Sequence, residues 1–308
     1  MKILFMGTTD FAVSCLDAMR QAGYEAEAVV TKTDKPKNRG MKLQFSAVKE
    51  YALQNDIPVY QPETLKTEDA QEALRAYGAD LFVVVAYGKL LPKAVLDMPR
   101  LGCINVHASL LPKYRGAAPI NRAILEGETE TGVTIMHMAK ECDTGDMILQ
   151  RKMTIDPDMN AEELFAALAA LGADAISDAI RAIENGTAAR TKQDDSLATY
   201  APMLSRELSP IDWTKSMEQV FNQIRGLVDW PCATMELGGA TLKLFKAVRG
   251  GGSKELPGKM KATKQGIEVT CGDGKCLTVT ELQAEGGKRM AASAYLNGKR
   301  IAAGAYLN

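Results

Sequence analysis

The order of segments along this chain predicts an α/β fold with a Rossmann-like, mostly parallel sheet, followed by a small OB-like β-barrel. Three observations carry that expectation. Short apolar strand segments alternate with amphipathic helical ones as far as Gly186, and such βαβ alternation builds parallel sheets with right-handed crossovers. Beyond Gly186 the pattern changes to short strands punctuated by glycines, the rhythm of a small antiparallel barrel. At 308 residues the chain can also bury two separate cores. We therefore expect a first domain over residues 1–186, a linker over 187–210 and a barrel domain over 211–308.

Residues 3–6 open the chain as a strand, and 11–22 place their apolar residues at helical spacing. Residues 26–30 form the next strand. Ser46 begins a helix reaching 55, because a serine oxygen accepts the orphan amides of a first turn. The run 81–86 is wholly apolar and belongs at the centre of the sheet, buried on both faces. A strand over 101–107, a helix over 117–126 and a strand pair over 132–138 and 147–155 follow. Residues 160–185 read as one long helix, with Asn160 as cap and Glu163 three residues later, close to a capping box. The polar stretch 187–210 carries Pro202 and Pro210 and reads as a linker. One further helix, 217–227, precedes strands at 240–248, 257–263, 266–271 and 275–283, with glycine turns at 250–252 and 272–274.

The net charge of −1 argues against a general nucleic-acid binder. The distribution says something different. Residues 206–308 hold 15 lysines and arginines against 10 acids, while 1–205 hold 22 against 28. That asymmetry is expected when one domain alone meets a polyanion. The six cysteines, at 15, 103, 142, 232, 271 and 276, lack paired metal spacing, so reduced thiols in a cytoplasmic protein are expected, with no metal. No run of eighteen apolar residues occurs, and the first residues read as a strand and not as a signal peptide, so no membrane association is expected.

The most informative stretch is Cys103-Ile104-Asn105-Val106-His107-Ala108-Ser109-Leu110-Leu111-Pro112. Asn105 and His107 sit two apart on an extended segment, so they point to one face, roughly 7 Å apart. An amide and an imidazole in a buried strand are costly without partners. The strand ends in the turn Ser109–Pro112, where ligands of parallel sheets bind. Downstream, Glu141-Cys142-Asp143-Thr144-Gly145-Asp146 is an acidic turn between two strands, and its carboxylate can meet His107 in space. Asn, His and Asp together can stabilise an oxyanion and move a proton. The other histidine, His137, shares its face with Val133 and Ile135 and has no metal-ligand spacing around it, so a structural role is expected. Gly7-Thr8-Thr9-Asp10 lacks the later glycines of a dinucleotide loop, so no NAD or FAD is expected. Residues 31–49 hold six cations, Lys32, Lys35, Lys37, Arg39, Lys42 and Lys49, against Asp34 alone, and read as a long functional loop that can grip phosphates.

Asn105-x-His107 followed by Ser109-Leu110-Leu111-Pro112, with Asp143-Thr144-Gly145 downstream, resembles the signature of formyltransferases that use 10-formyltetrahydrofolate. Five further stretches extend the likeness over nearly the whole chain, toward the members acting on tRNA. They are Met6-Gly7-Thr8-Thr9-Asp10-Phe11-Ala12, Asp34-Lys35-Pro36 with Arg39-Gly40-x-Lys42-Leu43, Tyr114-Arg115-Gly116-Ala117-Ala118-Pro119-Ile120, Ala198-Thr199-Tyr200-Ala201-Pro202 and Ile211-Asp212-Trp213. The resemblance implies Asn105, His107 and Asp143 as catalytic residues, and 10-formyltetrahydrofolate as the formyl donor. Ser109, Leu110, Leu111 and Pro112 would hold the folate, with Val85, Ala86, Tyr87 and Gly88 completing the pocket mainly through backbone groups. The implied acceptor is the α-amino group of methionyl initiator tRNA, gripped by Lys35, Lys37, Arg39 and Lys42, the protein acting as a monomer. Met203 and Ser209-Pro210 depart from the family's usual pattern near the linker, and Arg206 is the cation expected to serve there. Ala139 and Glu141 likewise replace the usual residues before the acidic turn, and Cys232-Ala233 follow Trp230-Pro231 where a glycine is common. The rival readings are a sugar-nucleotide amine formyltransferase, a formyltetrahydrofolate hydrolase and a non-catalytic RNA-binding protein. The basic segment favours tRNA over a sugar nucleotide.

Overall fold

The computed structural model describes residues 1–37 and 42–307, with the backbone alone for 35–37 and 42. The described residues gather into two compact units. The first comprises Met1–Gly116, Glu130–Met153 and Phe165–Tyr200. Its sheet has seven strands in the order Met147–Thr154, Glu130–His137, Cys103–His107, Leu81–Val85, Ile3–Gly7, Ala26–Val30 and Val59–Tyr60. The last five of these run parallel, and Glu130–His137 lies antiparallel to Cys103–His107. The expected mostly parallel sheet is therefore present.

The central strands are apolar because both of their faces are covered. Ile3, Leu4, Phe5 and Met6 are fully buried, as are Leu81 and Val83, and each large side chain so removed from water contributes roughly 1.5–3 kcal/mol. Leu4, Met6, Phe82, Val84 and Tyr87 build the core on one face. On the other face the helix Ala161–Glu184 comes close at Gly172, where a Cβ would sit 3.2 Å from Val106 and 3.3 Å from Phe11. Phe11 and Phe165 meet edge to face at 5.7 Å.

The local start signals hold. Ser46 accepts the amide of Lys49 at 3.1 Å. Asn160 accepts the amides of Glu162 and Glu163, and Glu163 accepts that of Asn160, closing the capping box. Three helices among the described residues, Glu68–Ala76, Lys93–Leu96 and Ala292–Gly298, are additional to the sequence expectation. All three are shorter than the roughly 10–12 residues by which length tells a helix from a strand. Residues 31–49 are also not a plain loop. Lys35–Lys37 and Lys42–Gln44 pair as an antiparallel ribbon, with Lys35 opposite Gln44 and Pro36 opposite Leu43. A ribbon built from lysines and proline shows no apolar alternation by which to recognise it.

The second unit comprises Ala117–Thr129, Thr154–Leu164 and the chain from Ala201 onward. Its antiparallel sheet follows the path Ala233–Leu237, Ala240–Gly252, Lys275–Ala284, Ile267–Thr270, Met260–Ala262 and Tyr306–Leu307, with Met290–Ala291 also pairing with Lys275–Ala284. Register shifts between Leu244 and Ala247, and again between Arg249 and Gly252, bend the longest strand and let the sheet curl as an OB-like half-barrel. The helix Met217–Gly226 opens with a Ser216–Gln219 capping box and seats Met217, Val220, Phe221 and Ile224 in the core of this sheet. Spacing of three and four residues puts those side chains on one face.

Within the same unit the helix Pro119–Leu125 packs on Met217–Gly226. Asn121 donates to the Gly226 carbonyl at 2.8 Å, and Gly226 leaves room for Ile124 and Leu125. The buried Arg225 donates to the Met159 carbonyl at 2.7 Å and to Asn222 at 2.8 Å, tying 154–164 to this helix. Among the described residues no helix is long and apolar enough to cross a membrane.

Candidate active site

The strand Cys103–His107 fixes the first two candidate side chains by register. Asn105 lies opposite Val84 on one neighbour and Met136 on the other, and His107 lies opposite Thr134. Cross-strand partners share a face, so Asn105, His107, Thr134 and Met136 point one way, while Ile104, Val106, Ile135 and His137 point the other. His137 is thus separated from His107 by the sheet itself. It is buried, with its Nε2 unpartnered among the described residues. Burial holds its imidazole below the usual histidine range, Arg190 adds to the effect and Asp146 opposes it.

The buried His107 is hydrogen-bonded at one ring nitrogen and faces a carboxylate with the other. Its Nε2 lies 2.9 Å from the Tyr114 carbonyl. A carbonyl only accepts, so Nε2 carries the proton. Nδ1 faces Asp143 Oδ2 at 3.6 Å, with side-chain exposures of 6% and 12% for the pair. Asn105 is half-buried, and its amide makes no hydrogen bond among the described residues, which leaves its donors free for a bound group.

Asp143 reaches this place from a turn 36 residues downstream, and its backbone is left-handed at φ +55°. Aspartate tolerates that conformation better than most residues. Its Oδ2 accepts the Gly116 amide at 2.8 Å and the Cys142 thiol at 3.3 Å. Desolvation, then the neighbouring carboxylate, push the Cys142 thiol up to about 11, so it stays protonated at neutral pH. Gly145 completes the turn where no side chain fits. A Cβ there would sit 1.7 Å from the His137 carbonyl oxygen.

The turn after the strand is also pinned. Leu111 is buried, and its peptide bond to Pro112 is cis. The buried Thr134 hydroxyl donates to the Ser109 carbonyl at 2.7 Å and accepts the Leu111 amide at 3.1 Å. Gln150 donates to that hydroxyl and to the Leu111 carbonyl, both at 2.9 Å. The Ser109 hydroxyl closes the turn on the Lys113 carbonyl at 2.6 Å. Leu110 and Pro112 stay half-exposed as an apolar edge.

Val85 ends the central strand, fully buried, and Ala86 and Gly88 follow with left-handed backbones and exposed surfaces. Tyr87 instead turns its ring into the core, while its carbonyl accepts Thr8 Oγ1 at 3.0 Å. Burial pushes its phenol up to about 12.

Lys35, Lys37 and Lys42 lie on the ribbon, and Arg39 lies outside the described residues. Lys49 is an anchor: it pairs with Asp34 at 2.5 Å and donates to Gln61 at 2.8 Å. The Lys49 and Gln61 hydrogen bonds hold the Asp34 carboxyl below its usual range. Arg206 is exposed at the start of the short turn Arg206–Leu208 in the second unit.

Sequence reasoning missed Thr134, Gln150, Arg115 and Gln193. Thr134 carries a legible signal, a hydroxyl inside the apolar run Gly132–Met136, on the face of His107. Gln193, in a polar stretch of ordinary composition, carries none.

The sequence matches the family model for formyl transferase over residues 1–180 and that for the formyl transferase C-terminal domain over residues 203–300. It is 46% identical over 296 residues to a methionyl-tRNA formyltransferase of Geobacter sulfurreducens, covering 96% of this chain and 93% of that one. A methionyl-tRNA formyltransferase of Ruminiclostridium cellulolyticum is 45% identical over 300 residues, covering 96% of each. Among solved structures, an N-formyltransferase from Helicobacter canadensis, in complex with folinic acid and dTDP-3-aminofucose, superposes with a TM-score of 0.69 at 19% identity, covering 91% of this chain and 98% of that one. The methionyl-tRNA formyltransferase from Clostridium thermocellum superposes at 0.56 and 16% identity, covering 80% and 93%. At such identities these two likenesses speak for the fold alone.

Proposed function

The chain belongs to the formyl transferase family, and we propose that it moves a formyl group from 10-formyltetrahydrofolate to the α-amino group of methionyl initiator tRNA. One observation supports this above others. Asn105 and His107 share one face of a strand and Asp143 comes to His107 from a distant turn, in a chain that matches curated methionyl-tRNA formyltransferases over 96% of its length.

The folate supplies the formyl group, whose carbon becomes tetrahedral, with an anionic oxygen, when the neutral amine attacks it. Asn105 aims its free amide donors at that oxygen. His107, fixed through Nε2, presents its Nδ1 edge beside Asp143, where a proton can be held. Donors set in advance toward developing charge are each worth about 10²–10³ in rate. Asp143 orients the imidazole and takes the amine proton through water as the C–N bond forms. Breaking the bond to the folate nitrogen, which takes that proton back through water as it leaves, then yields the N-formyl amide and tetrahydrofolate.

Ser109, Leu110, Leu111 and Pro112 form the folate wall with Val85, Ala86, Tyr87 and Gly88, which contribute mainly backbone groups. The two exposed left-handed positions, Ala86 and Gly88, leave backbone open to a flat ring, and the half-exposed edge of Leu110 fits one. The ribbon cations Lys35, Lys37 and Lys42, with Arg39 and Arg206, grip tRNA phosphates. Residues 1–186 act as the catalytic domain, 187–210 as the linker and 211–308 as the RNA module, in a cytoplasmic monomer without metal. The six free cysteines fit a reducing compartment.

The test is formyl transfer from 10-formyltetrahydrofolate to charged initiator tRNA, with free methionine and a sugar-nucleotide amine as competing acceptors. Transfer to the tRNA alone is expected. Transfer to the sugar nucleotide at a higher kcat/KM would overturn the assignment.

A further inference from the structure

Asp143 is held against His107 by more than its own side chain. Gln193 donates from Nε2 to the Asp143 carbonyl and to the Gly145 carbonyl, both at 2.8 Å. Its Oε1 accepts from Arg115 Nε at 3.0 Å and from Arg115 Nη2 at 2.8 Å. Arg115 is 3% exposed, and its Nη2 also pairs with Asp195 at 2.7 Å. The amide of Gln193 therefore has only one workable orientation. Its oxygen meets a guanidinium that only donates, and its nitrogen meets two carbonyls that only accept. The residue after Arg115 is Gly116, whose amide donates to Asp143 Oδ2 at 2.8 Å. One short segment thus grips the acidic turn twice, at the carboxylate through Gly116 and at the backbone through Arg115 and Gln193.

We infer that Gln193, oriented by Arg115, is a positioning residue that sets Asp143 against His107. The inference rests on the catalytic reading of Asp143. The turn carries a left-handed aspartate, and the two carbonyls that Gln193 binds flank its middle. Releasing them lets the carboxylate rotate away from the imidazole, while the strand that carries Asn105 and His107 stays in place. Glutamate has the same shape and keeps the arginine partner. Its second oxygen, however, faces two carbonyl oxygens and repels them.

The experiment compares Gln193→Ala, Gln193→Glu and Asp143→Ala singly, and Gln193→Ala with Asp143→Ala together. It reads kcat and KM for both substrates, with thermal melts alongside. Misplacing a catalytic group by about 1 Å can cost on the order of 10²-fold in rate, so each Gln193 variant should lower kcat by roughly 10- to 100-fold. KM for folate and for tRNA should move by less than about twofold. In the Asp143→Ala background, Gln193→Ala should change kcat by less than about twofold, because the group it positions is gone. Should Gln193→Ala fail to fold, Gln193→Glu, which keeps the buried arginine paired, gives the same reading. A wild-type kcat in the Gln193 variants, or a loss as large without Asp143 as with it, overturns the inference. A wild-type kcat in Asp143→Ala alone overturns the catalytic reading, and the inference with it.

Discussion

Replacing Thr134 with valine removes one oxygen and keeps the shape, which makes it a direct probe of how the turn after the strand Cys103–His107 is held. Thr134 has no exposed surface, so water cannot take the place of its hydroxyl. Three hydrogen bonds vanish: to the Ser109 carbonyl at 2.7 Å, from the Leu111 amide at 3.1 Å and from Gln150 at 2.9 Å. Gln150 retains its bond to the Leu111 carbonyl at 2.9 Å, so the net loss is the buried Leu111 amide and Ser109 carbonyl. An orphaned buried polar group costs about 1–3 kcal/mol, which gives roughly 2–6 kcal/mol for the pair. Thr134→Ser keeps the hydroxyl and loses one methyl, about 1 kcal/mol. Because two compact units need not unfold together, the assay is native-state hydrogen exchange at the Leu111 amide, read beside tetrahydrofolate affinity. Thr134→Val should lose at least about tenfold in protection relative to Thr134→Ser, a difference of about 1.4 kcal/mol, and bind folate more weakly. Equal protection in the two variants would refute the view that this hydroxyl pins the turn.

Asn105→Ala should lower kcat by about 10²–10³ with KM for both substrates nearly unchanged. A rise in KM alone would remove its oxyanion role. Gly145→Ala should destabilise the first unit and abolish activity together, since its Cβ would sit 1.7 Å from backbone. Gly251→Ala, with open space around it, should melt within about 0.5 kcal/mol of the parent. His137 is held below the usual histidine value of 6.5 by burial, so the unfolded chain binds the proton more readily. Its contribution is complete above that value and declines as pH falls below it toward the folded value. His137→Gln should flatten this part of the stability–pH curve, whereas an unaltered slope would mean that the group does not titrate differently on folding. Arg39→Ala should weaken tRNA use and flatten the log–log salt dependence of tRNA affinity by roughly 0.7–0.9. An unchanged slope would take this residue out of the phosphate grip.

What could be read from the sequence alone is whatever short-range physics decides. The alternation of apolar runs set the order of the strands, because burial on two faces leaves a mark on every residue of a strand. Ser46 and Asn160 announced their helices, because a cap acts on amides two or three residues away. Asn105 and His107 had to share a face, because the pleat repeats every two residues. The local pattern also assigned His137 the face of Val133 and Ile135. Tertiary structure alone decided what meets what across the chain. Asp143 comes to His107 only because the chain between Glu130–His137 and Met147–Thr154, which leaves the sheet beside Ile104 and not beside His107, turns back far enough to bring its carboxylate to the imidazole. Gln193 lies 78 residues from Arg115 and 50 from Asp143, and Asn121 lies 105 from Gly226. A hydrogen bond between such distant residues puts no periodicity into the residues between them. Only the packed fold, by bringing these segments within 3 Å of one another, gives a glutamine in a polar stretch its partners Arg115, Asp143 and Gly145.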